Sequence, residues 1–122
     1  METILLPDTL SMIPDHMFES CRNLKTIKLP GKLQLIDQEG FRGSGLQRVT
    51  IPKGVCKIAE RAFCCCEELQ SVDFENGSRL EDVGFQAFCD AGLTSFSTPS
   101  SLRKIGGMAF GDCPHLQDFR LN

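Results

Sequence analysis

The chain has 122 residues, 41% of them hydrophobic, and a formal net charge of −3 that is scattered along the sequence. This length fits one domain, and the charge pattern lacks the basic stripe of a nucleic-acid-binding protein. No apolar run approaches the ~18 residues of a membrane span. The N-terminus lacks a basic start followed by an apolar stretch, so the sequence predicts neither a membrane segment nor a signal peptide.

One unit recurs along the whole chain, and five phenylalanines mark its period. They are separated by 23, 22, 25 and 22 residues: Phe18, Phe41, Phe63, Phe88 and Phe110. Seven other columns of residues keep step with them, which is typical of a solenoid built from repeats of roughly 20–50 residues. We predict a single array over 1–122, with repeats 1–25, 26–47, 48–70, 71–94 and 95–117 and a partial strand at 118–122.

Each repeat predicts the same order of elements, which is clearest at residues 48–70. Val49 and Ile51 alternate with polar residues and predict a short strand. Pro52 ends it, because proline lacks the amide hydrogen that would continue a ladder. A second apolar stretch and a short helical turn around Phe63 follow. Stacking the repeats predicts an α/β solenoid with a parallel sheet on one face and helical turns opposite.

Two repeats depart from the pattern, and glycines mark further constraints. The second repeat is one residue short at 43–45, where glycine permits a tight link. The fourth has two extra residues at 75–78, and its Asn-Gly pair is a turn signal, so we expect an outward loop. Gly84 and Gly106 share a column with Pro14, which cannot adopt a positive φ. We therefore expect these two glycines to serve close packing.

The interior columns run to both ends of the chain without a polar shield. Met1, Ile4 and Leu6 lie at one end, and Phe119 and Leu121 at the other. Solenoids need capping repeats with a polar outer face. We therefore expect a stretch of a longer array, with neighbouring repeats or self-association covering the ends.

Seven cysteines, an odd number without an export signal, favour a reducing compartment. Cys64, Cys65 and Cys66 are consecutive, but zinc motifs need separated ligand pairs, so we expect neither a metal site nor a cofactor. Cys64 and Cys89 each follow the phenylalanine of adjacent repeats, and stacking would bring their Cα atoms about 5 Å apart. They are either two free thiols or a disulfide pair. Cys56 falls on the solvent side of its column.

Residues 46–66 fit the pattern Leu-x-x-Val-x-Ile-Pro-x-x-Val-x-x-Ile-x-x-x-Ala-Phe-x-x-Cys. This pattern resembles the BspA-type leucine-rich repeat family, and the resemblance covers essentially the whole chain. It implies a curved leucine-rich-repeat solenoid that binds partners instead of catalysing a reaction. Members are often modules of long surface or secreted proteins of bacteria and protists, with adhesive roles. The sequence leaves two cellular locations as alternatives, because the cysteines favour an intracellular location and the resemblance allows an extracellular one.

We predict a non-catalytic protein-binding module that presents the strand face of the solenoid. Ten side chains flank the buried strand positions and would contact a protein partner: Thr26, Lys28, Arg48, Thr50, Ser71, Asp73, Ser95, Ser97, Asp118 and Arg120. Thr3 and Leu5 occupy the same two columns in the first repeat. No aromatic side chain stands among them to anchor a partner, so a merely solvated face is the competing interpretation.

Two other functions compete with protein binding. A structural spacer would hold other domains apart without a ligand, and the flanking sequence would discriminate it. A cysteine-dependent enzyme would pair a thiol with a histidine such as His16, but His16 and His115 both fall in solvent columns. No Gly-x-x-x-x-Gly-Lys-Ser/Thr, Gly-x-Ser-x-Gly or His-Glu-x-x-His motif occurs, so we expect no enzyme.

Overall fold

The computed structural model describes residues 4–122, which form a parallel β-solenoid of about five repeats. Paired strands run parallel and in register, so equivalent residues of neighbouring repeats lie side by side. Met1 and Thr3, which the sequence assigns to an interior column and to the strand face, lie outside the described residues.

Short strands of two to four residues make up all the regular structure in the described chain. They are β1 (Met12–Ile13), β2 (Leu35–Ile36), β3 (Arg48–Ile51), β4 (Lys57–Ile58), β5 (Ser71–Phe74), β6 (Asp82–Val83), β7 (Ser95–Ser97), β8 (Lys104–Ile105) and β9 (Asp118–Arg120). The five two-residue strands pair in the order β1-β2-β4-β6-β8, and the longer strands form two separate pairs, β3-β5 and β7-β9.

The continuous sheet therefore runs along the second apolar stretch of each repeat, and the predicted strand segment is paired only in part. The spacing within the second stretch is constant, and its interior residues Ile13, Ile36 and Ile58 are all fully buried. The predicted segment is interrupted between β5 and β7, where the two extra residues of the fourth repeat follow directly. At this point the rings of Phe74 and Phe96 meet edge-on, 5.7 Å apart at 81°.

The predicted helical turns are wrong, because the described residues contain no helix. Each repeat has two residues with positive φ, four positions apart, on either side of its phenylalanine. The first set has φ from 54° to 61°: His16, Glu39, Arg61, Gln86 and Met108. The second has φ from 53° to 70°: Ser20, Gly43, Cys65, Asp90 and Asp112. A left-handed residue at every fourth position is incompatible with a right-handed helix.

Backbone hydrogen bonds between repeats replace those of a helix. The amide of Phe18 donates to the carbonyl of Gly40 at 2.7 Å, and the amide of Phe63 donates to that of Ala87 at 2.7 Å. Within each repeat the chain closes through bonds between residues three apart, such as Ala62 N–H to Ala59 C=O at 3.2 Å. The wall opposite the strands is thus a stack of β-turns.

The five phenylalanines form one continuous stack, which confirms the predicted column. Successive ring centroids from Phe18 to Phe110 are 5.1–5.3 Å apart, with interplanar angles of 1–14°. The three central rings, Phe41, Phe63 and Phe88, have no exposed surface. The interior is thus a row of ladders that runs along the solenoid axis.

Glycine occupies the points where two repeats approach most closely. A Cβ on Gly84 would lie 2.7 Å from the Glu60 nitrogen, and one on Gly106 would lie 2.5 Å from the Phe85 nitrogen. Neither glycine has a positive φ, so the prediction of close packing is confirmed. The tightest approach is in the shortened link, where a Cβ on Gly45 would lie 2.0 Å from the Arg22 carbonyl oxygen.

The last described repeat leaves interior-type side chains at the surface. Ile105 is 40% exposed, and Phe119 and Leu121 are also exposed. The hydroxyl of Thr98, at an interior position, accepts a hydrogen bond from the Asn122 amide at 3.1 Å. Between residues 4 and 122, no helix has the length and apolar character needed to cross a membrane.

Candidate functional site

The predicted binding residues point outward because β-strands alternate their side chains between two faces. In β3, Val49 and Ile51 are 3% and 0% exposed, whereas Arg48 and Thr50 are exposed. Asp73 is exposed in the same way in β5. The alternation that the sequence predicts thus places the charged and hydroxyl groups in solvent.

Parallel pairing brings most of the predicted residues into facing positions. Arg48 lies opposite Ser71, and Thr50 lies opposite Asp73. Across the other strand pair, Ser95 faces Asp118 and Ser97 faces Arg120. Strands in a sheet are about 4.8 Å apart, so the two side chains of each facing pair leave the sheet close together. Thr26 and Lys28 precede β3 by one repeat and lie outside the assigned strands.

Four of the predicted residues line one open groove of about 420 Å³. They are Thr26, Lys28, Arg48 and Thr50, and the groove also includes Pro52 and Glu75. Two cationic side chains and one carboxylate therefore surround a floor formed by buried aliphatic residues such as Ile27 and Val49. We call this surface the first groove.

A second groove of about 340 Å³ lies beside it, where the pairing between β5 and β7 is interrupted. Asp73 and Ser97 line it, together with the loop at 75–78 and Asn122. Glu75 lines both grooves, and its Oε1 accepts a hydrogen bond from the Lys53 amide at 2.9 Å. The inserted loop is thus fastened to the preceding repeat.

Four predicted residues line neither groove: Ser71, Ser95, Asp118 and Arg120. Asp118 and Arg120 form an exposed ion pair with each other, with 3.3 Å between Arg120 Nε and Asp118 Oδ1. Their charges therefore partly cancel each other. Six of the ten predicted residues therefore line the two grooves. Four of them line the first groove, and Asp73 and Ser97 line the second.

Sequence reasoning missed the contribution of the inserted loop and of Asn122. The Asn-Gly signal predicts that residues 75–78 loop outward, but not that the loop lines the second groove and that Glu75 also lines the first. Leu5 is 90% exposed and belongs to the same column as Lys28 and Thr50. It is an apolar side chain in a column whose other residues, from Lys28 to Arg120, are polar.

His16 lies at the surface, as predicted, and its polar contacts are carboxylates. Its Nδ1 is 2.7 Å from Glu19 Oε1, and its Nε2 is 3.4 Å from Glu39 Oε1. The hydrogen bond with Glu19 raises the pKa of His16. Arg42 in turn contacts Glu39 at 2.8 Å. This arrangement is an ion-pair network at the surface, with Glu39 as its buried member, and does not have the Cys–His geometry of a nucleophilic pair.

All seven cysteines are free thiols in this structure. Cys66 is fully buried and donates a hydrogen bond to the Phe41 carbonyl at 3.0 Å. Burial raises the pKa of Cys66 to about 11 and that of Cys64 to about 12. Reactive cysteines have lowered pKa values, so these two thiols are poor nucleophiles at neutral pH. Cys56 is exposed, as predicted.

A family model described as the BspA type leucine rich repeat region matches residues 1–119 in six copies. No curated protein matches the chain. Among solved structures, a leucine rich repeat protein of T. pallidum is 28% identical with a TM-score of 0.91, and the match covers 97% of this chain and 57% of that one.

Two further structures share the fold at lower identity. The pneumococcal vaccine antigen PcpA is 18% identical with a TM-score of 0.79, over 98% of this chain and 40% of that one. A leucine rich cell surface protein of Faecalibacterium prausnitzii is 23% identical with a TM-score of 0.69, over 98% and 38%. The chain thus spans about half, or less, of the length of these three proteins.

Proposed function

The chain belongs to the BspA-type leucine-rich repeat family, and from this premise we propose that it is a non-catalytic protein-binding module. The observation that carries the proposal is the clustering of Thr26, Lys28, Arg48 and Thr50 around the first groove. Repeat solenoids use extended surfaces of this kind to bind partners.

The charges of the two grooves favour a polar, extended partner segment. Lys28 and Arg48 line the first groove, and Asp73 lines the second. A partner that places an acidic side chain in the first groove and a basic one in the second is complementary to this order. Such complementarity contributes to specificity and to the rate of association.

The test compares two double charge swaps that leave the net charge unchanged. Arg48→Glu with Asp73→Lys reverses the charge of one side chain in each groove. Lys57→Glu with Asp82→Lys is the matched control, because Lys57 and Asp82 face each other on the other sheet. Each chain captures proteins from an extract of its source cells, and quantitative mass spectrometry identifies those that depend on the grooves.

We expect at least one protein to be captured by the wild type and by the control but lost with the groove swap. Its purified form should bind the groove variant at least about tenfold more weakly, since side chains central to an interface contribute more than about 1 kcal/mol each. Equal capture by all three chains contradicts the assignment of the face. Absence of any captured protein supports the spacer alternative.

A further inference from the structure

Three potential ligand groups meet on the wall of stacked turns, away from the two grooves. The Sγ atoms of Cys64 and Cys89 and a carboxylate oxygen of Asp90 all lie within 4.8 Å of one another. Cys65 Sγ is 3.5 Å from Cys64 Sγ, and Cys89 Sγ is 3.7 Å from Asp90 Oδ2. Two thiols and one carboxylate from two neighbouring repeats thus converge, and a third thiol, that of Cys65, contacts Cys64.

The requirements of the core do not explain why thiols occupy these positions. In the column of Cys64 and Cys89, the other repeats carry Glu19, Arg42 and Gly111. By contrast, Cys66 belongs to an interior column in which Ala91 serves equally well, and its thiol is already bonded to a backbone carbonyl. Cys64 and Cys89 are nevertheless 5% and 3% exposed, whereas Asp90 is exposed, so the cluster has a buried thiol side and a side open to solvent.

The spacing of these groups is close to that of ligands around a bound zinc ion. Zinc–sulfur bonds of about 2.3 Å and zinc–oxygen bonds of about 2.0–2.2 Å imply distances between ligands of about 3.4–3.8 Å. The separation of 3.7 Å between Cys89 Sγ and Asp90 Oδ2 falls in this range. Thiolate ligands select zinc and related soft cations over magnesium or calcium.

We propose that Cys64, Cys89 and Asp90 bind one thiophilic divalent cation of the zinc class. Stacking creates the site, because ligands that are 25 residues apart in sequence become neighbours in adjacent repeats. Binding replaces thiol protons with the metal, so protons are released and the apparent affinity increases with pH. The guanidinium of Arg42 lies beside Cys65 and Cys64 and offsets the excess negative charge of the ligand set.

The test titrates the full chain with Co²⁺ in a phosphine reductant, with zinc as the competitor. We expect one Co²⁺ per chain, thiolate-to-metal charge-transfer absorption and d–d bands of tetrahedral intensity, all abolished by one equivalent of Zn²⁺. Cys64→Ser with Cys89→Ser should abolish the signal. Cys66→Ala is the matched control within the same cysteine triplet, and Cys56→Ser tests the exposed thiol; both should keep the signal.

A second variant guards against misfolding of the double mutant. Asp90 is exposed, so Asp90→Asn should fold, as circular dichroism will show, and should weaken Co²⁺ binding by about 10–100-fold. The proposal is overturned if wild type binds no Co²⁺, if Cys56→Ser removes the signal, or if Asp90→Asn and the double variant bind like wild type. A Cys64–Cys89 disulfide in the reduced sample, detected by intact mass, also overturns it.

Discussion

The phenylalanine at the centre of each repeat shows how one side chain acts in a stacked fold. Phe63 has no exposed surface and lies between the rings of Phe41 and Phe88, at 5.1 and 5.2 Å. Aromatic pairs contribute about 0.5–1.5 kcal/mol beyond the burial of their area. A ring with neighbours on both sides therefore stabilises two interfaces between repeats.

Replacing this ring with alanine tests the interior column. We expect Phe63→Ala to lower the free energy of unfolding by about 3–5 kcal/mol, because it removes a large buried side chain and leaves a cavity. Lys57→Ala, at an exposed strand position, should change it by no more than about 0.5 kcal/mol. Urea denaturation measures both, and similar losses in the two variants would mean that the columns are assigned wrongly.

At the scale of the element, the stacked turns explain why the predicted helices are absent. Pro14 and the acidic residues near each turn are typical of helix starts, but they are equally compatible with β-turns. Left-handed positions are usually revealed by glycine, whereas here nine of the ten stacked-turn positions with positive φ are other residue types. The sequence therefore carries little glycine signal for these left-handed positions.

Left-handed residues other than glycine carry a backbone cost of roughly 1–2 kcal/mol each, and glycine relieves it. Met108 has φ 54° and is 56% exposed, so Met108→Gly should stabilise the chain by about 0.5–1 kcal/mol. Lys104→Gly, in strand β8, should instead destabilise it by about 0.5–1 kcal/mol. Thermal unfolding compares the two, and a loss of stability in both would contradict the stacked-turn geometry.

The shortened link of the second repeat depends on the absence of a side chain. Gly45→Ala would place a Cβ against the Arg22 carbonyl oxygen, and overpacking of this kind costs about 1–3 kcal/mol or more. Gly31→Ala meets nothing within 4 Å and should be neutral or stabilising by up to about 1 kcal/mol. Chemical denaturation separates them, and a tolerated Gly45→Ala would show that the two repeats are farther apart.

At the scale of the whole molecule, each repeat contacts only its neighbours, so stability is expected to vary along the stack. The third repeat is covered on both sides, and its Phe63 amide bonds to the next repeat at 2.7 Å. In the fifth repeat, the equivalent amide of Phe110 has no such bond to another repeat within the described residues.

Hydrogen exchange tests this gradient directly. We expect the amides of Phe41 and Phe63 to exchange more slowly than that of Phe110 in the same column, because the exposed end of the stack opens without unfolding the rest. Exchange measured by NMR or mass spectrometry will rank them. Equal protection along the chain would indicate that it unfolds as one cooperative unit.

The sequence by itself determined the repeat, the interior columns and the outward-facing residues. A spacing of 22 to 25 residues, kept by Phe, Leu and Ile columns, has a stacked interior as its simplest physical solution. Alternation around Val49 and Ile51 then decides which neighbours face solvent. These features depend on burial, which a pattern of apolar residues reports directly.

Tertiary structure decided how the backbone satisfies its hydrogen bonds and which groups converge. The amide of Phe63 donates its hydrogen bond to the next repeat and not to its own segment. The sequence of a single repeat does not show this pairing, which produces stacked turns in place of helices. The grooves depend on where the inserted loop at 75–78 folds back, and the thiol cluster on contact between Cys64 and Cys89. Local sequence cannot specify these features, because their partners lie a full repeat away.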